Sequence, residues 1–265
     1  MLGNKIRGYL RIAMILPVSF YYYMKVIVCG WFAKDKAKTR FKVRNGWGAA
    51  MCRLLGFKVE FRGHLPPEGT YLFVGNHRAS LDPLVCMRYL QASPVSRADV
   101  RNYPVIGKGA EMSGIIFVDK ESRTSRSATK QAIYDSLKAG KSVMIYPEGK
   151  THAEPLTTTF QKGAFEMAAE LGVPVVPFAI EYMSIADYWD HTDTMVVHYL
   201  KNLAKSRTYI RMSMGPVIEG DTAWSLLRQS QQWINDEIVR LRADWGGLAP
   251  AKAGTQPPEE TADGE

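Results

Sequence analysis

Residues 12–33 read IAMILPVSFYYYMKVIVCGWFA, an apolar run with Lys25 as its one charge. About 20 such residues suffice to cross a bilayer as a helix. Pro17 interrupts the run, and both flanks are basic. Lys5, Arg7 and Arg11 precede it; Lys34, Lys36, Lys38, Arg40, Lys42 and Arg44 follow. Positive charge on both sides gives no orientation bias and points to two cytoplasmic ends. The pattern therefore predicts a segment that dips into one leaflet and returns, or lies in the interface, rather than a simple span. Tyr21, Tyr22, Tyr23 and Trp31 are residue types that favour the headgroup level. The run is long for a signal peptide, and no small-residue cleavage site follows it cleanly.

The charge balance supports a lipid surface. The chain of 265 residues carries a formal net charge of +8, but residues 1–62 hold 13 Lys/Arg against 2 Asp/Glu. The remainder is close to neutral, with an acidic end. A basic segment bordering an apolar run suits anionic lipid headgroups. Nucleic acid is a poor fit, since no zinc-finger or RNP-like motif is present. The three cysteines, Cys29, Cys52 and Cys86, have neither CxxC nor metal-like spacing, so reduced thiols and no metal are expected. His64, His152, His191 and His198 show no metal-ligand spacing either.

Beyond the N-terminal segment, strand-like and helix-like stretches alternate. Helical spacing covers residues 45–57, 83–90, 125–139, 161–171 and 223–242. Strands are expected at 57–63, 70–76, 115–120, 142–149 (running into a loop), 173–181, about 195–200 and 209–214. These imply a mixed α/β fold, a mostly buried β-sheet flanked by helices. The expected divisions are residues 1–56 as membrane-associated helices, 57–247 as the catalytic domain and 248–265 as a disordered tail.

The stretch GNHRASLDP, residues 75–83, follows a buried strand. Imidazole is the usual general base near neutral pH, and a carboxylate fixes its tautomer and stabilises its cation. His77 and Asp82 are five positions apart and can meet only if the backbone turns where the strand feeds a helix. In isolation this spacing is a weak signal.

Three more blocks strengthen it: GIIFVDK (114–120), YPEGKTH (146–152) and VPVVPFA (173–179). With NHRASLD they occur in the order found in the PlsC-type 1-acyl-sn-glycerol-3-phosphate acyltransferases, which the chain resembles over residues 57–182. FQKGAFEMA, between the last two blocks, resembles the family as well. The resemblance implies a membrane-associated O-acyltransferase of phospholipid biosynthesis, on the cytoplasmic face of the inner cell membrane. It would transfer an acyl chain from acyl-CoA or acyl-carrier protein to the hydroxyl of 1-acylglycerol-3-phosphate, forming phosphatidic acid. His77 would be the general base, Asp82 its orienting partner, and the thioester a substrate rather than a cofactor. Backbone N–H groups near Gly149 are candidate oxyanion donors.

Acceptor binding is implied for Lys120, Arg123, Glu148, Gly149 and Lys150. Two departures bear on the acceptor. Lys120 stands where the family has Arg, so a bidentate fork becomes a point charge. The family's Thr-Arg pair is Lys150-Thr151 here, which shifts the positive charge by one position. The same chemistry on another lysolipid or an amino-lipid acceptor is therefore an open alternative. A Ser80-dependent lipid hydrolase is more distant, because no G-x-S-x-G elbow surrounds Ser80. A non-catalytic membrane-binding module fits poorly with both His77 and Asp82 present. The polar stretch IADYWDHTDT (185–194) reads as a loop near the site mouth, with Tyr188 and Trp189 available for membrane contact.

Overall fold

A computed structural model describes residues 2–97, 115–118, 123–243 and 245. It opens with α1 (Leu2–Phe32), which continues through Pro17, and α2 (Lys36–Leu55). The Asp35 carboxylate accepts the Lys38 N–H to start α2. Gly56, in the left-handed conformation at φ 79°, stops it. The second helix is therefore longer than its apolar spacing predicts and absorbs most of the basic flank. It packs back along α1, where the Trp47 indole donates to Ser19 Oγ at 3.2 Å.

Two arginines of those flanks are turned inward rather than toward headgroups. Arg44 is buried and donates to the Leu90 carbonyl at 2.7 Å, and burial lowers its pKa to about 10. Arg11 donates to the Leu203 and Ser206 carbonyls at 2.9 and 3.1 Å.

The body then runs β1 (Phe57–Arg62), β2 (Leu72–Gly75), α3 (Asp82–Met87), β3 (Ser93–Arg97) and β4 (Ile116–Val118). It continues with α4 (Arg123–Lys138), β5 (Val143–Ile145), α5 (Gly163–Leu171) and β6 (Val175–Tyr182). A 3-10 turn (Ile185–Asp187), α6 (Met195–Ala204), β7 (Thr208–Met214) and α7 (Ala223–Ala243) complete it. The seven strands form one sheet in the order β1-β7-β6-β2-β5-β3-β4. β6 and β7 are antiparallel; every other neighbouring pair is parallel.

Both faces of the sheet are covered, so its strands are apolar on both sides. Phe73, Val176, Phe178 and Ile180 join Met51, Leu55, Val85 and Cys86 of α2 and α3 in one cluster. Leu72, Val74, Val175 and Ala179 join Leu137, Phe165, Ile234 and Ile238 of α4, α5 and α7 in the other. Each large side chain so buried contributes about 1.5–3 kcal/mol.

The mixed α/β architecture is the expected one, with two differences among the described residues. Residues 195–200 are helix, not strand. Thr194 caps α6 by accepting the Val197 N–H, and Asn202 donates to His198 one turn earlier at 2.9 Å. A β-branched start concealed an amphipathic pattern: His198, Asn202 and Leu203 are buried, while Val197 and Leu200 face out. Strand β3 went unpredicted, its five residues including a proline. The end of the expected 115–120 strand and the 248–265 tail lie outside the described residues.

Candidate active site

The site forms where β2 ends, at the carboxyl edge of the parallel strands, the usual position for ligands in such sheets. Gly75 closes β2 because a Cβ there would lie 2.1 Å from the Phe178 ring. Asn76 continues the pairing with its side chain. Its amide donates to the Ile180 carbonyl and accepts the Ile180 N–H, both at 2.8 Å. That bidentate link anchors the residue just before His77, and sequence spacing alone had not singled it out.

The chain then turns so that α3 begins at Asp82, and the two predicted residues meet. His77 Nδ1 lies 2.8 Å from Asp82 Oδ2, with Asp82 fully buried and the His77 side chain 17% exposed. Oδ2 also accepts the backbone N–H groups of Arg78 and Ala79, at 2.7 and 2.9 Å. An oxygen receiving two backbone donors is a carboxylate acceptor, so Nδ1 carries the proton and Nε2 bears the lone pair. Asp82 Oδ1 accepts from the Tyr182 hydroxyl at 2.6 Å. The Tyr146 ring stacks on the imidazole at 4.1 Å between centroids, 10° from parallel. Burial, then the nearby Cys86 thiol and Asp82, push the Tyr146 phenol well above its ordinary pKa.

Glu148 points inward. Its Oε2 accepts the His77 backbone N–H at 2.8 Å; Oε1 accepts from His152 Nε2 at 2.6 Å and from the Thr158 N–H at 3.0 Å. It therefore ties the YPEGKTH loop to the His77 loop. His152, whose sequence spacing shows only that it is no metal ligand, is part of that tie. Its Nδ1 accepts the Glu154 N–H, which leaves Nε2 as the donor to Glu148. Gly149 sits at φ 74°, and its N–H donates to the Tyr146 carbonyl at 3.0 Å, closing a tight turn. That turn occupies the Gly149 N–H, one of the backbone groups near this glycine named as candidate oxyanion donors.

Lys150 is exposed beside this loop. Thr151 is buried, with its hydroxyl 3.1 Å from His191 Nε2. Lys120 and the side chain of Arg123 lie outside the described residues. Ser80 Oγ is buried and makes no hydrogen bond among the described residues. A Ser-His-Asp triad would also hold Nδ1 with the carboxylate, but it needs the serine hydroxyl on Nε2, and Ser80 Oγ makes no such bond among the described residues.

Arg78, next to the base, is fully buried and forms a brace under the site. Its guanidinium donates to the Glu154 and Pro155 carbonyls at 2.6 and 3.1 Å. Its Nε lies 3.4 Å from Glu181, which also pairs with Arg242 of α7 at 2.7 Å and accepts from the Tyr188 hydroxyl. Tyr188 is consequently buried, not on a membrane-facing surface. The 185–194 loop does border the site: the Trp189 N–H donates to the Arg78 carbonyl at 2.8 Å.

A family model described as Acyltransferase matches residues 56–181. A lyso-ornithine lipid O-acyltransferase of Pseudomonas aeruginosa is 32% identical over 148 residues, which cover 56% of this chain and 57% of that enzyme. Human 1-acyl-sn-glycerol-3-phosphate acyltransferase alpha is 27% identical over 202 residues, 63% of this chain and 71% of that one. The match thus spans little more than half of the Pseudomonas relative. The crystal structure of PlsC, the 1-acyl-sn-glycerophosphate acyltransferase of Thermotoga maritima, has the same fold, with a TM-score of 0.73 at 17% identity. That superposition covers 93% of this chain and 98% of the other. A domain model over residues 56–181 and four sequence blocks in order make this chain similar to the acyltransferases, and it shares the fold of PlsC.

Proposed function

We propose that the protein transfers a fatty acyl chain from an acyl thioester, acyl-CoA or acyl-carrier protein, to the free hydroxyl of 1-acylglycerol-3-phosphate. The product is phosphatidic acid. His77 Nε2 takes the hydroxyl proton as the oxygen attacks the thioester carbonyl. The tetrahedral intermediate collapses with cleavage of the C–S bond, and the imidazolium returns the proton to the leaving thiolate. No acyl-enzyme is needed, because the thioester is already activated and the alcohol needs only proton removal and alignment. Asp82 keeps the proton on Nδ1 and stabilises the imidazolium that forms. The observation that carries this reading is the 2.8 Å contact between His77 Nδ1 and the buried Asp82 carboxylate.

A second reading keeps the chemistry and changes the acceptor to an amino-acid-linked lysolipid. It is favoured by the loop that departs from the family. Thr151 and His152 are engaged within the protein, so this loop offers one exposed cation, Lys150, in place of an arginine fork. The name of the Pseudomonas relative points the same way. Turnover of lysophosphatidic acid and lyso-ornithine lipid with both thioester donors separates the two. Preference for lysophosphatidic acid supports the first reading; absence of activity on it removes that reading.

The site works from a lipid surface in either case. Residues 4–32 of α1 are long and apolar enough to cross a membrane, and the most apolar window is not buried in the protein. Leu10, Phe20, Tyr21, Trp31 and Phe32 are exposed on it. We assign this face to the cytoplasmic leaflet of the cell membrane, where the soluble thioester donor is present.

A further inference from the structure

We propose that Tyr182 is a positioning residue of the transfer reaction, acting on His77 through Asp82. The inference rests on His77 being the base. Asp82 has two oxygens with different duties. Oδ2 faces His77 and is fixed by the Arg78 and Ala79 N–H groups. Oδ1 has the Tyr182 hydroxyl, at 2.6 Å, as its hydrogen-bond donor among the described residues. Two anchored oxygens fix the plane of the carboxylate, and with it the direction of the lone pair that holds the imidazole. A buried carboxylate oxygen without a donor carries a full desolvation cost, so this bond is strong and geometrically demanding.

Tyr182 is built to remain a donor. It is the last residue of β6, fully buried, and lies 100 positions from Asp82 along the chain. Tyr188 packs edge-on against its ring at 6.2 Å. Burial, then the Asp82 charge, raise the phenol well above its ordinary pKa, so it stays protonated wherever the enzyme works. The other charged or titratable groups around the pair have separate contacts. Tyr146 lies on the imidazole face and Cys86 bonds to Tyr146. Glu148 accepts the His77 backbone N–H and His152. The Arg78 side chain is spent on Glu181 and loop carbonyls. His198 bonds to Asn202. None of these touches Oδ1.

The sign of the effect follows. A donor on Oδ1 draws charge from the carboxylate. Removing it leaves more negative potential at the imidazole, which favours the cation and raises the pH at which His77 titrates. Donation from a more acidic phenol lowers it.

The test is an NMR titration of His77 in the full chain in detergent micelles, labelled at histidine, with His77→Gln assigning the signal. Tyr182→Phe is expected to move the titration up by about half a pH unit or more. In an Asp82→Asn background the same change is expected to move nothing, the non-additivity of residues acting through one another. Site-specific 3-fluorotyrosine at 182 is expected to move it down. Kinetics with palmitoyl-CoA and 1-oleoyl-lysophosphatidic acid add a second readout: kcat falls roughly threefold to tenfold for Tyr182→Phe while KM holds. Identical titration curves for wild type and Tyr182→Phe overturn the proposal. So does an equal shift with and without the Asp82 carboxylate. If Tyr182→Phe fails to fold, the fluorotyrosine titration decides, and an unmoved curve overturns it. Activity retained by His77→Gln defeats the catalytic reading itself, whatever Tyr182 does.

Discussion

Asp82 gathers its donors from its own loop and from β6, and the imidazole beside it is held in one tautomer. Replacing Asp82 with Asn removes the charge that steadies the imidazolium and permits the wrong tautomer. Acyl transfer should fall by about 10²–10⁴-fold with acceptor KM little changed, as steady-state kinetics would show. Glu148→Gln is expected to have a different signature. It weakens the tie between two loops, so both kcat and the thermal midpoint should drop. His77 and Asp82 were legible in the sequence because five positions of chain bring them together locally. Tyr182, Asn76 and His152 were not, because their partners are set by sheet register or by the fold of the YPEGKTH loop. A tyrosine closing a strand reads as core, and nothing local connects it to a carboxylate 100 positions earlier.

Elements carry the next level of cause. Glu181 on β6, Arg78 in the His77 loop and Arg242 on α7 meet in one buried ionic cluster. Arg242→Met leaves Glu181 balanced by Arg78 but removes its closer ion pair and the donor to the Pro155 carbonyl, so it should cost about 1–3 kcal/mol in chemical denaturation, although it lies far from His77 in sequence. Helix α6 has a pH signature. His198 accepts from Asn202 through Nε2, which requires a neutral ring, and burial is the first cause of its lowered pKa. The unfolded chain therefore binds a proton more readily than the fold does. Stability from this group is present above about pH 6.5 and is lost as pH falls through the lower folded value. A His198→Gln variant should lose less melting temperature between pH 7 and pH 5 than wild type. The strand-versus-helix error at α6 has a physical root. A β-branched start suggests a strand, whereas the Thr194 cap and the burial of His198, Asn202 and Leu203 belong to helix geometry.

For the whole molecule, the apolar N-terminal run and the α/β body are joined structurally rather than merely consecutive. Arg11 of α1 donates to carbonyls at the end of α6, and the loop before α6 borders the site through Trp189 and His191. Phe20 and Trp31 are exposed on α1, so Phe20→Asp with Trp31→Asp should reduce flotation with anionic vesicles. Turnover of a fully dispersed short-chain acceptor should change little. The general plan of a long apolar N-terminal helix, a buried sheet and a strand end that brings His77 to Asp82 was readable from hydropathy, alternation and four ordered blocks. The inward turn of Arg11 and Arg44 was not, because a basic flank looks the same in sequence whether it meets lipid headgroups or helix carbonyls. The central claim is that His77 performs the proton transfer of lysolipid acylation. The most direct measurement is acyl transfer by the purified full chain and its His77→Ala variant, on the same acceptor and thioester in the same micelles. A fall of at least about 10²-fold, with the variant folded, is the expected result; comparable rates would contradict it.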